Sequence, residues 1–233
     1  MITTILFDLD DTLYDEVDFC RSGFRAVAEF LSAVPNLTAA HRADDIFAAL
    51  CSQFDSGERN RTFDAALTSL GIVFEPDTIR HLVRLYREHT PSITLPPESR
   101  QMLSNLQAKY ALGLLTDGFM PTQRLKVEAL GIAPFFRHIL YTEELGRKAW
   151  KPATTGFKHL LKALGAKPQE CVYIADNAEK DFIGPNALGM PSIQLIRPNR
   201  LHDAAPVNPE AEPGQIIASL AQLPSALKHI GRN

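Results

Sequence analysis

Short apolar segments alternate with helical patterns along most of this 233-residue chain. Residues 2–9 are apolar and β-branched at their start, which predicts a buried strand. Similar strands are predicted in "YALGLLT", "FRHILYT", "ECVYIADN" and "PSIQLI", the last of which we expect to be the final strand. Helical patterns are found at about 97–109, 122–131, 153–164, 184–190 and 214–229. This alternation predicts an α/β fold whose parallel sheet is covered by helices on both faces.

One long segment departs from this alternation directly after the first strand. Residues of about 15–92 contain no clear strand pattern, and the apolar spacing predicts helices at about 17–34, 38–55, 62–70 and 76–89. Helices joined by short loops with Pro or Gly are typical of a small helical bundle. We therefore expect an α/β core of residues 1–14 and 97–233, with an inserted helical cap of residues 15–96.

The composition of the chain limits the kinds of partner and compartment that we expect for it. The formal net charge of −3 and the pI of about 6.2 give no basic excess for nucleic acid, and no polybasic run suggests a membrane surface. No stretch approaches the ~20 apolar residues of a membrane span, and the first residues lack a signal-peptide pattern. The three cysteines, Cys20, Cys51 and Cys171, form no zinc-type spacing and are typical of a reducing compartment. We expect a cytoplasmic protein.

Acidic residues concentrate where two predicted strands end. Asp8 and Asp10 are two residues apart, so on an extended chain both side chains point to the same side. Asp176 ends another strand, and Asp181 follows it. In open α/β sheets, ligands bind beyond the carboxyl ends of the strands. Converging carboxylates need a cation, a proton or solvent, and oxygen-only ligands suit Mg²⁺.

A second group of residues suits a phosphate. Thr116 ends a predicted strand and is followed by Asp117 and Gly118, so a hydroxyl and turn amides are available to phosphate oxygens. Lys151 stands before Pro152 and a predicted helix, and it supplies a cation. Each signal is weak alone, but all of them fall where the α/β rule places ligands.

In their chain order, these residues resemble the motifs of the haloacid dehalogenase-like superfamily of hydrolases. The resemblance is to the branch with a helical cap inserted after the first strand (C1 cap, subfamily I), and it covers the core. The family motif DxDxT matches residues 8–12, and the other three motifs match Thr116, Lys151 and the pair Asp176 and Asp181. Ala175 stands where the family often has Gly, and Asp117 where Asn is common; we expect the Asp117 side chain to point outward. The resemblance implies a Rossmann-like three-layer core with a parallel sheet.

The resemblance also implies a role for each motif residue. Asp8 would be the nucleophile that forms an aspartyl-phosphate, and Asp10 the general acid and base, which must start as a neutral acid. Mg²⁺ would be held by Asp8, the Asp10 backbone carbonyl and Asp176, with Asp181 supporting that shell directly or through water. The phosphate would be held by Thr116, the amides of Asp117 and Gly118, and Lys151. Asp11 is expected to be a solvated turn residue.

The activity implied is that of a Mg²⁺-dependent phosphatase acting on a small phosphorylated metabolite. A nucleoside 5′-monophosphate and a sugar phosphate are both candidate substrates. Two alternatives stay open, a phosphosugar mutase and a catalytically silent binding module on the same fold. Substrate selection is assigned to the start of the cap, where Phe19, Arg21 and Arg25 are the candidates.

Overall fold

Six strands form one parallel sheet in the computed structural model, which describes residues 1–34, 41–57, 59–203 and 205–230. The strands are β1 (Thr4–Phe7), β2 (Ala111–Thr116), β3 (His138–Tyr141), β4 (Cys171–Ala175), β5 (Ser192–Leu195) and β6 (Gln215–Ile217). Their order in the sheet is β3-β2-β1-β4-β5-β6. Every residue of β1, β4 and β5 is buried, as required for parallel strands covered on both faces. The expected α/β architecture is confirmed.

The sheet contains one strand that the sequence pattern did not predict. We expected a helix over 214–229 and no strand after "PSIQLI", and this expectation is wrong. Gln215–Ile217 forms β6, and the helix begins only at Leu223. Three residues are too few to show a strand periodicity. Pairing with β5, in the register Ile193 to Gln215, makes them a strand.

The described residues of the α/β part form five α-helices: α5 (Pro97–Gln107), α6 (Thr122–Leu130), α7 (Thr154–Leu164), α8 (Ile183–Ala187) and α9 (Leu223–Ile230). The helix α7 packs closely on the sheet through Phe157 and Leu160, which are fully buried. Gly113 in β2 permits this approach, since a Cβ there would lie 2.8 Å from side-chain atoms of Leu164 and Leu6. No described helix is long and apolar enough to cross a bilayer.

The chain divides into two compact units, Met1–Val17 with Thr94–Asn233, and Asp18–Ile93. The second unit contains most of α1 (Glu16–Ala33) together with α2 (Ala43–Asp55), α3 (Thr62–Ser69) and α4 (Pro76–Glu88). The helix predicted from residue 38 begins at Ala43, and residues 38–40 lie outside the described part. Aromatic rings form the interior of this helical unit, where Phe24 lies 5.4 Å from Phe54 and 5.6 Å from Tyr86 between ring centroids.

The helical unit is slightly shorter at both ends than the expected cap of residues 15–96. Residues 15–17 group with the α/β unit, where two of them have charged partners. Arg197 Nε donates to Asp15 Oδ1 at 2.5 Å, and Lys126 Nζ lies 3.2 Å from Glu16 Oε1. The segment that leads out of the first strand is therefore held by side chains of the α/β unit.

Candidate active site

The carboxyl ends of β2, β1 and β4 are adjacent, because these strands are neighbours in the sheet. Asp8 continues β1, and its backbone N–H donates to Ile174 O at 2.9 Å. Asp176 follows directly after β4, and Thr116 is the last residue of β2. The acids and the hydroxyl that were predicted from strand ends are thus brought to one edge of the sheet.

Lys151 lies below this edge and joins two of the acids. Its Nζ atom is 2.5 Å from Asp8 Oδ1 and 2.7 Å from Asp181 Oδ1, and it donates to the Tyr173 hydroxyl at 3.1 Å. The lysine is buried, which disfavours its charged form, but Asp181 and Asp8 keep its pKa well above the usual value. Lys151 therefore remains an ammonium that faces the candidate nucleophile.

One lysine does not balance the acids around it. Ligand atoms of Asp8, Asp176 and Asp181 all lie within 4.8 Å of one another, and the three residues are buried. Burial raises the pKa of Asp8 to about 7, a rise that Lys151 opposes and Asp181 reinforces. Burial, with Asp181 and Asp8, raises the pKa of Asp176 to about 9. The cluster has more negative charge than its cation can stabilise.

The same cluster fits a divalent metal ion. Asp176 Oδ2 is buried and accepts no hydrogen bond from the described residues, which is costly for a carboxylate unless a cation binds it. Both oxygens of Asp181 already have partners, since Oδ1 pairs with Lys151 and Oδ2 accepts from the Asn177 N–H at 3.0 Å. The donor set consists of oxygen atoms only, which suits a hard cation such as Mg²⁺ or Ca²⁺.

Asp10 has hydrogen-bond partners of its own, which the Asp8, Asp176 and Asp181 cluster does not share. Its Oδ1 accepts from Tyr14 at 2.5 Å and from Lys126 at 2.7 Å, and its Oδ2 accepts from Gln123 at 2.8 Å. Burial acts against the charged form, but Lys126 and these hydrogen bonds outweigh it and lower the pKa of Asp10. We expected Asp10 to start as a neutral acid. That expectation is wrong for the protein without substrate, because a buried lysine faces the carboxylate.

The loop after β2 is held by a short network. Thr116 Oγ1 accepts from Gln123 at 2.6 Å, and the Thr142 hydroxyl donates to Asp117 Oδ1 at 2.6 Å. The Lys151 N–H donates to Asp117 Oδ2 at 3.0 Å. We expected the Asp117 side chain to point outward; instead its carboxylate links the loop to the segment that carries Lys151. Gly118, with φ of 145°, has the backbone geometry that favours glycine.

A small polar cavity of about 130 Å³ lies over these residues. It is lined by Asp8, Asp10, Glu16, Asp117, Asp176, Asn177, Lys180 and His202. A larger cavity of about 490 Å³ lies near the amino ends of β1, β5 and β6, where the lining side chains are apolar or neutral. The titratable side chains identify the smaller cavity as the candidate active site.

Asp11 does not behave as the solvated turn residue that we expected. It is 1% exposed, and its carboxylate accepts from the backbone N–H groups of Glu16 at 2.8 Å and Leu201 at 2.7 Å. Its φ of 50° lies in the left-handed region. Asp11 therefore ties the loop after β1 to the loop after β5, and the local sequence contains no sign of that distant partner.

Sequence reasoning missed Gln123 and Lys126, the two α6 residues that contact Asp10. The signal that could have revealed them is their position. The buried face of α6 consists of Thr122, Gln123, Lys126, Val127 and Leu130, so polar residues occupy positions where apolar ones are expected. Lys180 and His202, which line the cavity, were also missed.

The residues proposed for substrate selection lie in the helical unit. Phe19 is buried against other rings, with its centroid 5.5 Å from that of Tyr86. Arg25 pairs with Asp44 at 2.8 Å and stacks 3.9 Å above the Phe47 ring. Arg21 is exposed. Phe19 and Arg25 therefore have structural contacts of their own within this unit.

Comparison with known proteins agrees with the fold. A family model for haloacid dehalogenase-like hydrolases matches residues 2–189. The chain is 32% identical over 200 residues to the glyceraldehyde 3-phosphate phosphatase of Methanocaldococcus jannaschii, covering 84% of this chain and 86% of that protein. It is 25% identical over 246 residues to the N-acylneuraminate-9-phosphatase of Rattus norvegicus, covering 98% of this chain and 95% of that protein.

A solved structure of similar fold is the HAD-hydrolase YfnB from Bacillus subtilis bound to magnesium. It has a TM-score of 0.68 at 24% identity, with 97% of this chain and 98% of that chain covered. The chain belongs to the haloacid dehalogenase-like hydrolases. Within that family it is a phosphatase, a phosphoric monoester hydrolase.

Proposed function

We propose that this enzyme is a Mg²⁺-dependent phosphatase that forms an aspartyl-phosphate on Asp8. One observation carries the proposal: Asp8 lies 2.5 Å from the Lys151 ammonium and beside Asp176, which has a buried oxygen that no described residue hydrogen-bonds. A carboxylate between a fixed cation and a site for a second cation is well placed to attack a phosphate. The other phosphate oxygens then face positive charge.

The metal site would consist of the Asp8 and Asp176 carboxylates and the Asp10 backbone carbonyl. Asp181, which is held by Lys151 and the Asn177 N–H, would support Asp8 and Asp176 from behind. A bound Mg²⁺ would neutralise charge on the carboxylates and on the phosphate. With that neutralisation, Asp8 can be an anion at neutral pH, as a nucleophile must be.

The residues of the chain position the phosphate for in-line attack. Lys151, the Thr116 hydroxyl and the backbone N–H groups of Asp117 and Gly118 would hold its oxygens. Positioning and charge neutralisation supply most of the catalysis in phosphoryl transfer. Asp10, which is ionised beside Lys126, would first take up a proton from solvent, then transfer it to the leaving oxygen and later accept one from the attacking water.

We propose further that the helical unit of about residues 15–96 acts as a cap that selects the substrate, with Phe19, Arg21 and Arg25 as candidate residues. The substrate would be a small phosphorylated metabolite. Sugar phosphates are preferred over nucleoside 5′-monophosphates, since both relatives described above are named for phosphorylated carbohydrates. A reducing, cytoplasmic setting is supported by the three free cysteines.

The test is phosphate release from p-nitrophenyl phosphate, with and without Mg²⁺, followed by a panel of phosphorylated metabolites. The panel should contain glyceraldehyde 3-phosphate, N-acylneuraminate 9-phosphate, hexose phosphates and nucleoside monophosphates. We expect turnover that requires Mg²⁺ and is lost in chelator, with the best panel member a sugar phosphate. In Asp176→Asn, added Mg²⁺ should restore little activity.

Two results would contradict the proposal. Turnover that is unchanged after exhaustive chelation would exclude the metal dependence. Absence of turnover with every phosphate ester in the presence of Mg²⁺ would exclude the phosphatase assignment and favour a binding module.

A further inference from the structure

The helix α6 has two polar residues on its buried face, and both contact the same carboxylate. Gln123 is 2% exposed and Lys126 is 3% exposed. Burial of a lysine costs several kcal/mol unless the ammonium is paired. Here Lys126 Nζ lies 2.7 Å from Asp10 Oδ1 and 3.2 Å from Glu16 Oε1.

Gln123 holds the other oxygen of Asp10 and also reaches the neighbouring strand end. Its Nε2 donates to Asp10 Oδ2 at 2.8 Å and to Thr116 Oγ1 at 2.6 Å. The side-chain amide therefore links the proton-transfer candidate with the phosphate-binding candidate. The two residues stand three positions apart, so one turn of α6 presents both to Asp10.

We propose that Lys126 and Gln123 are positioning residues for Asp10, which fix the plane of its carboxylate by binding one oxygen each. The inference rests on the proposed phosphatase function and deepens it. A purely structural role for Lys126 needs only a charge partner. It does not need a second helix residue that binds the other oxygen of the same carboxylate and the Thr116 hydroxyl.

This arrangement distinguishes the two oxygens of Asp10. Oδ1 accepts from both Tyr14 and Lys126, whereas Gln123 is the donor found at Oδ2 among the described residues. Oδ2 is therefore the oxygen at which the ionised carboxylate takes up a proton from solvent before the first half-reaction. In the first half-reaction, Asp8 forms a bond to phosphorus as the bond to the leaving oxygen breaks, and the proton on Oδ2 moves to that oxygen.

The second half-reaction restores the enzyme. Water oxygen forms a bond to phosphorus, the bond between Asp8 and phosphorus breaks, and inorganic phosphate leaves. The proton that the water loses returns to Oδ2 of Asp10. Both proton transfers need Oδ2 in a fixed direction, and Lys126 and Gln123 maintain that direction.

The test compares substrates that need a proton on the leaving group with one that does not. Wild type, Lys126→Met and Gln123→Met are assayed with p-nitrophenyl phosphate and with an alkyl phosphate such as glycerol phosphate. The parameter is kcat/KM, which reports the phosphorylation half-reaction. Arg124→Met is the matched control, since Arg124 is on the same helix but pairs with Glu144 on an exposed surface.

We expect kcat/KM for the alkyl phosphate to fall by roughly 10²-fold in Lys126→Met, because general acid catalysis contributes on the order of 10²–10⁴-fold. The value for p-nitrophenyl phosphate should fall less than about fivefold, because p-nitrophenolate leaves without a proton. Gln123→Met should show the same selectivity with a smaller loss. Arg124→Met should match wild type with both substrates.

An equal loss with both substrates, or no loss, would overturn the positioning role and leave the phosphatase assignment intact. Failure of wild type to hydrolyse either ester would instead overturn the phosphatase assignment and this inference with it. Should Lys126→Met fail to fold by circular dichroism, Gln123→Met and Lys126→Arg decide the question. Lys126→Arg keeps the positive charge. A kcat/KM for the alkyl phosphate, relative to that for p-nitrophenyl phosphate, that is higher in Lys126→Arg than in Gln123→Met supports the role. An equally low relative value in both variants contradicts it.

Discussion

Asp8 and Asp10 are two residues apart, and each faces a buried lysine, yet their pKa values shift in opposite directions. Burial raises the pKa of Asp8 to about 7 in spite of Lys151. For Asp10, burial is outweighed by Lys126 and by hydrogen bonds, so its pKa is lowered. The difference lies in how each lysine is shared.

Lys151 serves Asp8 and Asp181, with Asp176 close by, so each acid receives only part of its stabilisation. Lys126 is shared between Asp10 and Glu16, and Asp10 has two further donors in Tyr14 and Gln123. The Asp8 side therefore lacks positive charge and is suited to bind a cation. The Asp10 carboxylate is already stabilised by these donors.

The largest effect is expected from Asp8→Asn. An amide is a poor nucleophile toward phosphorus, so turnover should fall by at least about 10³-fold while the fold remains. Phosphate release from the best substrate measures the loss, and circular dichroism checks the fold. Asp55→Asn, at an exposed position of the helical unit, is the control with the same chemical change. Substantial residual turnover in Asp8→Asn would remove Asp8 from the nucleophile role.

Replacement of either lysine tests directly how its charge is shared among the neighbouring acids. Lys151→Met should lower the free energy of unfolding of the metal-free protein by roughly 3–5 kcal/mol, the range for removing one partner of a buried pair. Lys126→Met should cost less, because Asp10 keeps Tyr14 and Gln123. Urea unfolding of both variants measures the difference, with exposed Lys158→Met as control. Equal losses of unfolding free energy in Lys151→Met and Lys126→Met would contradict the proposed difference between the two lysines.

The Asp8 side should also make stability depend on pH. Asp8 and Asp176 have pKa values of about 7 and about 9 in the folded metal-free protein, above the ~3.9 of an unfolded Asp. The native state then binds more protons than the unfolded state between pH ~4 and ~9, so stability falls as pH rises through that window. Asp10, with its lowered pKa, contributes stability that is lost only in acid, below the unfolded value.

Mg²⁺ should oppose this fall, since it binds the deprotonated acids. At a concentration near 100 times its dissociation constant it adds about 2.7 kcal/mol, and its effect should grow between pH 6 and pH 9. Urea unfolding across this pH range, with and without Mg²⁺, measures both effects. Asp176→Asn should show a flatter pH profile and a weaker Mg²⁺ response. A wild-type profile that is identical to that of Asp176→Asn would refute the role of the cluster.

The smallest effect is expected from Tyr14→Phe, which removes one of the three donors to Asp10. The free energy of unfolding should fall by about 1 kcal/mol, the usual value for one hydrogen bond. Because Lys126 and Gln123 remain, turnover of an alkyl phosphate should stay within about fivefold of wild type. Half-buried Tyr110→Phe serves as the control. A loss as large as that of Lys126→Met would show that Tyr14 orients Asp10 as much as the lysine does.

Most of the fold and the chemical core of the site could be predicted from local patterns. The alternation of strands and helices indicated the parallel sheet, and the sheet brings Asp8, Thr116 and Asp176 to one edge. The strand β6 could not be predicted, since it has three residues and depends on pairing with β5. The burial of Asp11 was hidden for a similar reason, as its partner Leu201 lies 190 residues away.

The amino-acid sequence alone determined which chemical groups stand at the strand ends, because strand periodicity and motif spacing are local properties of the chain. Only the tertiary structure decided the charge of each group. Gln123 and Lys126 lie 113 and 116 residues from Asp10 in the chain, and the packing of α6 alone brings them to it. Burial and neighbouring charge set a pKa, and both arise only when distant segments come together.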